Sequence, residues 1–125
     1  MAVRGVGVDV TDIHRIARLW RVHGDRFATR WFTTDELVES ARESEKGVAL
    51  SLRFAAKEAV WKSLGQVGRT VPWHSIAIVD LGSQPRVLLS GDVAAAATAA
   101  GVVAVQVRVM RFDRMALAVA ISETH

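Results

Sequence analysis

The stretch Gly5-Val6-Gly7-Val8-Asp9-Val10 alternates with a period of two. In a β-strand this pattern sends Val6, Val8 and Val10 to one face and Gly5, Gly7 and Asp9 to the other. Glycine inside a strand gives up packing and conformational stability, so two on one face mark a place where another backbone comes close. Asp9, in line with that gap, is either satisfied locally or presented to a cation.

Beyond this strand, Asp12 is suited to cap a helix running to about Val22, with Ile13, Ile16, Ala17 and Trp20 as its apolar stripe. After Gly24 comes the short segment Asp25–Phe32, and Thr34 ahead of two acids reads as another helix start. The charged run Glu39–Gly47 reads as a helix end and an exposed loop. Val48–Gly65 is the strongest helix of the chain, rich in good helix formers and closed by glycine. On it, Leu52, Ala56, Ala59 and Ser63 are placed to pack inward, while Ser51, Ala55, Glu58 and Lys62 share a second face. A loop from Gln66 to His74, containing Gly68 and Pro72, leads to strands Ser75–Val79 and Arg86–Ser90 around the turn Asp80–Pro85. Asp92 is suited to cap an alanine-rich helix that Gly101 ends, and Val102–Met110 with Met115–Ile121 reads as a hairpin turning at Phe112, Asp113 and Arg114. Early helices followed by hairpins, without repeats or linkers, indicate a single α+β domain over residues 1–125.

The chain has no cysteine, which excludes disulfides, thiol nucleophiles and thiolate metal sites, so a bound metal must use oxygen or imidazole. No apolar run approaches a bilayer span, and the patterned N-terminal strand carrying Arg4 does not resemble a signal peptide, so no membrane association and a cytoplasmic location are expected. A net charge of +3 suits an acidic partner, a phosphorylated ligand or nucleic acid. Arg15, Arg18, Arg21 and Arg26 cluster in one early segment, which is either a recognition surface or a solvated helix face.

Asp9 on its glycine-bearing face and Glu58 within an alanine-rich helix are the two acids that call for explanation. Their separation in sequence is not a metal motif. Asp9 read alone is an aid to the helix cap, and Glu58 read alone is an ordinary helix pair with Lys62. Their surroundings say more. The segment GVGVDVTDIHRI (Gly5–Ile16) ends a strand in an aspartate directly before a helix, and RFAAKEAVWKSLG (Arg53–Gly65) carries an RFAAKEA run followed by K-x-x-G. Together they resemble the holo-acyl-carrier-protein synthase type of 4'-phosphopantetheinyl transferase. Weaker matches are RFATRWFTTDEL (Arg26–Leu37) and GSQPRVLLSG (Gly82–Gly91), so that the resemblance runs from about Arg4 to Gly91.

The resemblance implies an antiparallel sheet packed against a long central helix, and transfer of the phosphopantetheine arm of coenzyme A to a serine of an acyl carrier protein, releasing adenosine 3',5'-bisphosphate. It implies magnesium held by Asp9 and Glu58 against the pyrophosphate, a donor set that suits this ion. Lys62 matches the family's active-site lysine, and Glu58 is the candidate general base. Arg53 and Lys57, on or near the same helix face, are candidate contacts to coenzyme A phosphates. Asp12 and Thr11 are available for the helix cap, which leaves Asp9 free for metal. The family docks its acidic carrier protein on the helix after the strand aspartate, making Arg15, Arg18, Arg21 and Arg26 candidate contacts. A short chain of this type is expected to form a homotrimer with sites between subunits. Whether the carrier serves fatty acid, polyketide or peptide synthesis stays open.

One part of the pattern is missing. Where the family carries serine-x-serine/threonine-histidine on the penultimate strand, near the adenosine phosphate, this chain has Arg108, Val109, Met110 and Arg111. Arg108 and Arg111 are therefore candidate coenzyme A contacts, since a guanidinium binds phosphate well. In a regular strand the two point to opposite faces unless a bulge intervenes. The loss also allows a paralogue that binds coenzyme A or a carrier without transfer. A basic nucleic-acid binder is disfavoured by the absence of a glycine-aromatic motif and of tyrosine.

Overall fold

The N-terminal alternation becomes strand β1 (Ala2–Asp12), but with its faces opposite to those hydrophobicity alone would choose. Val6, Val8 and Val10 are 57%, 52% and 52% exposed, whereas Gly7, Asp9 and Thr11 are buried. This computed structural model describes residues 1–66 and 69–125. The helices are α1 (Ile13–His23), α2 (Asp25–Trp31), α3 (Thr34–Ser40), α4 (Lys46–Ser63) and α5 (Gly91–Ala99). Strands β2 (Ile76–Val79) and β3 (Arg86–Leu89) form one hairpin, and β4 (Val102–Phe112) and β5 (Met115–Thr124) another. β5 pairs antiparallel with both β1 and β4, giving a three-stranded sheet of order β1-β5-β4. This is the α+β arrangement expected, and α4 is its central helix.

The inversion of β1 follows from what lies on its buried side. Alongside Gly5, Gly7, Asp9 and Thr11, β5 presents Ala116, Ala118, Ala120 and Ser122 to the same side, all buried. This floor of small residues lets the backbone of α4 settle directly on the sheet. A Cβ at Gly7 would land on the Ala59 carbonyl oxygen and lie 2.7 Å from the Ser63 amide nitrogen, and one at Gly5 would land on the Ser63 carbonyl. The glycines are therefore required by close approach rather than by turn conformation. Ser122 completes the contact, its hydroxyl donating to the Ser63 carbonyl at 2.7 Å and so satisfying an acceptor in the last turn of α4.

α4 is enclosed on nearly every side, so the two-faced helix expected from spacing does not hold. Ser51 and Ala55, assigned to the same face as Glu58, are fully buried, and Leu52 is only half-buried. One core cluster joins α4 to the sheet, β2 and α5 through Ala56, Ala59, Val60, Ile76, Ile78, Val93 and Val107. A second, aromatic cluster joins α1, α2 and α4 through Ile16, Phe27, Phe32, Leu50 and Phe54. Trp31 and Trp73 pack on the aromatic cluster with ring centroids 4.6 Å apart, in keeping with a core role for the tryptophans.

Several local readings change. The short segment after Gly24 folds as a helix over Asp25–Trp31. α3 is capped by Thr33, one residue before Thr34, through a capping box in which the Glu36 side chain accepts from the Thr33 amide at 2.8 Å. Asp92 lies inside the first turn of α5, and Ser90 occupies the cap position without a side-chain bond. Gly68 falls outside the described residues. Among the described residues, no helix is long and apolar enough to cross a membrane.

The contact of β1 with α4 makes a direct prediction. Gly7→Ala should lose about 3 kcal/mol or more in urea unfolding, because backbone, not a flexible side chain, opposes the added methyl. Gly82→Ala, with nothing within 4 Å of the new Cβ, should stay within about 0.5 kcal/mol. Equal stability of the two variants would contradict the close approach.

Candidate active site

Asp9, Glu58 and Lys62 come together where β1 passes the C-terminal half of α4. Lys62 Nζ donates to Asp9 Oδ1 at 3.3 Å and to the Val8 carbonyl at 3.1 Å. The pair is uneven, since the Lys62 side chain is 40% exposed and that of Asp9 only 9%. Asp9 Oδ2 accepts the Thr11 hydroxyl at 2.6 Å. Glu58, one helical turn before Lys62, is half-buried beside Asp9. Burial, then a hydrogen bond to Asp9 and the Asp9 charge, push its carboxyl up to about 7, against the opposing charges of Lys62 and Arg15. The helix pair Glu58–Lys62 is thus part of a three-residue constellation.

Two carboxylates side by side, one of them driven toward its protonated form, have the chemistry to hold a cation. Their donors are all oxygen, which suits a hard divalent ion. Among the described residues, no three Asp, Glu or His side chains gather to enclose a metal. Asp9 and Glu58 therefore fit an ion that takes its remaining ligands from water and a phosphorylated substrate, as magnesium usually does.

Two expected phosphate contacts do not hold in this arrangement. Lys57 is fully buried, with Nζ 2.6 Å from Glu36 Oε1 and 3.0 Å from the Trp31 carbonyl. Burial pulls its pKa below the ordinary lysine range, opposed by the Glu36 carboxylate. Arg53 is 1% exposed, paired with Glu43 at 2.7 Å and Glu39 at 3.9 Å, and bonded to the Ala49 carbonyl at 2.9 Å. The i+4 spacing of Arg53 and Lys57 places both on the buried side of α4, facing α3 rather than the site. Glu36, which sequence reading passed over, is the centre of that side. It caps α3, holds Lys57 and accepts the Ile78 amide at 3.0 Å. Its only signal in sequence is the Thr33-x-x-Glu36 spacing.

The arginine replacements on β4 lie apart from Asp9 and from each other. The β4–β5 register is regular from Ala104 to Phe112, so no bulge brings Arg108 and Arg111 to one face. Arg111 pairs with Glu45 at 3.2 Å. Arg108 donates to the Val107 carbonyl at 2.9 Å and lines a cleft of about 400 Å³ with Ser83, Gln84 and Pro85 of the β2–β3 turn. Arg15, Arg18 and Arg21 are exposed on α1, and Arg26 on α2. Arg15 also reaches inward, with its guanidinium 5.7 Å from the centre of the Phe54 ring. The helix cap is Asp12 alone, accepting the His14 amide at 2.9 Å, and Thr11 serves Asp9 instead.

Comparison with known proteins assigns this sheet, its central helix and the chain that forms them to one enzyme class. Residues 5–120 match the family model of the 4'-phosphopantetheinyl transferase superfamily, and the chain belongs to that superfamily. Within it the chain stands among the holo-[acyl-carrier-protein] synthases. It is 38% identical over 120 residues to the holo-[acyl-carrier-protein] synthase of Chlamydia trachomatis serovar D, covering 95% of this chain and 98% of that protein. The crystal structure of the synthase from Neisseria meningitidis superposes with a TM-score of 0.87 at 29% identity, over 98% of this chain and 99% of that one. A Plasmodium yoelii acyl carrier protein synthase, solved with ADP bound, gives 0.81 at 25% identity over 98% and 96%.

Glu58 gives the site a pH signature. Its folded-state pKa of about 7 lies above the ordinary 4.5, so the metal-free folded chain retains a proton that the unfolded chain releases. Stability in the presence of chelator should therefore fall as pH rises from about 4.5 to about 7, as read by urea midpoints. Glu58→Gln should flatten the slope in that window, and an unchanged slope would remove Glu58 as its source.

Proposed function

We propose that the protein transfers the 4'-phosphopantetheine arm of coenzyme A to a serine of an apo acyl carrier protein, with magnesium as the metal. The observation that carries this reading is the convergence of Asp9, Glu58 and Lys62 at one junction in a chain of this family. The serine oxygen bonds to the β-phosphorus of coenzyme A, the bond from that phosphorus to the oxygen bridging the two phosphates breaks, and adenosine 3',5'-bisphosphate departs with that oxygen. Asp9 and Glu58 would hold the ion, which when bound supplies charge neutralisation at the attacked phosphorus and the departing phosphate. Lys62 brings a compact positive charge to the same oxygens. Glu58 is the carboxylate suited to accept the serine proton, directly or through a water.

The remaining contacts follow from charge and exposure. Of the two β4 arginines, Arg108 beside Ser83 and Gln84 is the better suited to the 3'-phosphate, because Arg111 already pairs with Glu45. Within one chain Arg108 lies apart from Asp9, so this assignment requires a neighbouring copy. The open sheet face supplies a reason for one. Val6, Val8, Val10, Met110 and Val119 are 44% to 57% exposed on the side away from α4, an apolar surface that a homotrimer would cover. Arg15, Arg18, Arg21 and Arg26 form the surface for the acidic carrier.

Intact-mass analysis of an apo acyl carrier protein incubated with the protein, coenzyme A and magnesium should show the gain of one phosphopantetheine, abolished by chelator. Asp9→Ala and Glu58→Ala should each slow transfer by roughly two to three orders of magnitude while remaining folded. Near-normal rates in either folded variant would overturn the metal assignment. Arg18→Glu should raise KM for the carrier about tenfold at low salt, less at high salt, with KM for coenzyme A unchanged. A loss confined to coenzyme A affinity would mean that the docking surface lies elsewhere.

A further inference from the structure

We infer that Thr11 is a positioning residue for the cation site, fixing the Asp9 carboxylate so that one oxygen is held and the other is presented to ligands. This inference rests on the metal reading above and adds a residue to it. Asp9 and Thr11 are two apart on β1 and share its buried face, with Thr11 3% exposed. The Thr11 hydroxyl has one proton to donate, and Asp9 Oδ2, at 2.6 Å, accepts it. Oδ1 faces the other way, toward Lys62.

The bond matters because of where Asp9 stands. Gly5 and Gly7 leave no side chain on the N-terminal side of it on that face of β1, so Thr11 is the neighbour on its own strand that can hold its rotation about Cβ–Cγ. Beside the Glu58 carboxyl, both Thr11 and Lys62 donate to Asp9, and they differ in kind. Lys62 is a long, partly exposed chain whose charge competes with any cation for the same oxygen. Thr11 is buried and β-branched, stiff at χ1, with a hydroxyl that has no charge to compete. It can therefore keep its bond to Oδ2 with or without a cation at Oδ1. Outer groups that orient a metal-binding side chain in this way typically matter about 10- to 100-fold for affinity.

The test uses Mn²⁺ as a spectroscopic stand-in and reads binding rather than turnover. Free Mn²⁺ is followed by electron paramagnetic resonance in the presence of coenzyme A, for the unsubstituted protein, Asp9→Ala, Thr11→Val and Thr11→Ser. Thr11→Val keeps the shape and β-branching while removing the donor, and should weaken Mn²⁺ binding about tenfold without lowering the thermal midpoint. Thr11→Ser retains the hydroxyl and should bind within about threefold of the unsubstituted protein. Mn²⁺ binding by Thr11→Val equal to that of the unsubstituted protein would overturn the role of Thr11 while leaving the metal site standing. Equal weakening by Thr11→Val and Thr11→Ser would also overturn it, because the hydroxyl would then not be what matters. If neither the unsubstituted protein nor Asp9→Ala binds Mn²⁺, the metal reading itself fails and the inference falls with it.

Discussion

The structure depends on one steric constraint, the backbone contact between β1 and α4. Gly5 and Gly7 admit the Ala59–Ser63 turn to a distance that any side chain on the strand would prevent. β5 continues the same floor with alanines and a serine. Side-chain bulk is thereby displaced to the far face of the sheet, which is why the valines of β1 face outward. The helix in turn sits low enough that residues on its flank, Glu58 and Lys62, meet the end of β1 at side-chain range. A sheet with conventional large residues inside would hold the helix farther off, and Asp9 would not reach them.

Like groups on this scaffold are given opposite environments. Lys57 and Lys62 lie on the same helix, yet Lys57 is sealed against Glu36 while Lys62 stays partly open beside Asp9. Removing one partner of the buried pair would strand a charge, at a cost of about 3–5 kcal/mol, whereas the open pair has water to fall back on. The two acids of the site are also distinguished. Asp9 receives donors from Thr11 and Lys62, while Glu58 faces burial and the Asp9 carboxylate. Such divergence gives two neighbouring carboxylates of the metal-free site unequal proton affinities.

Much of this was legible in the amino-acid order because it is local. The glycine alternation, the Asp12 cap, the glycine closing α4 and the two-stranded turns all act over a few residues, where side-chain chemistry restricts the backbone. Asp9, Glu58 and Lys62 were legible through the family pattern they carry. What escaped detection depends on partners distant in sequence. Arg53 and Lys57 look like ligand contacts when only α4 is in view, and become ion-paired structural residues once α3 supplies Glu36 and Glu39 and the turn after it supplies Glu43. Thr11 looked like a cap because its neighbour Asp12 is one. The buried side of it is set by strand parity, which turns its hydroxyl toward Asp9. Helical periodicity failed for α4 because a helix enclosed on nearly all sides has no solvent face to read.

The register of β1 bears on how the protein comes into being. Among the described residues its one strand neighbour is β5, with Ala2 opposite Thr124 and Asp9 opposite Ala118. During synthesis β1 leaves the ribosome well before β5, so the strand waits for its partner while all the helices between them are made. Such long-range pairing is slow to close and leaves an unpaired edge exposed meanwhile. A nascent chain that already contains Asp9, Glu58 and Lys62 still lacks the strand that holds β1 in place. Chemical competence thus waits on β5, a strand to which the proposed reaction assigns no role.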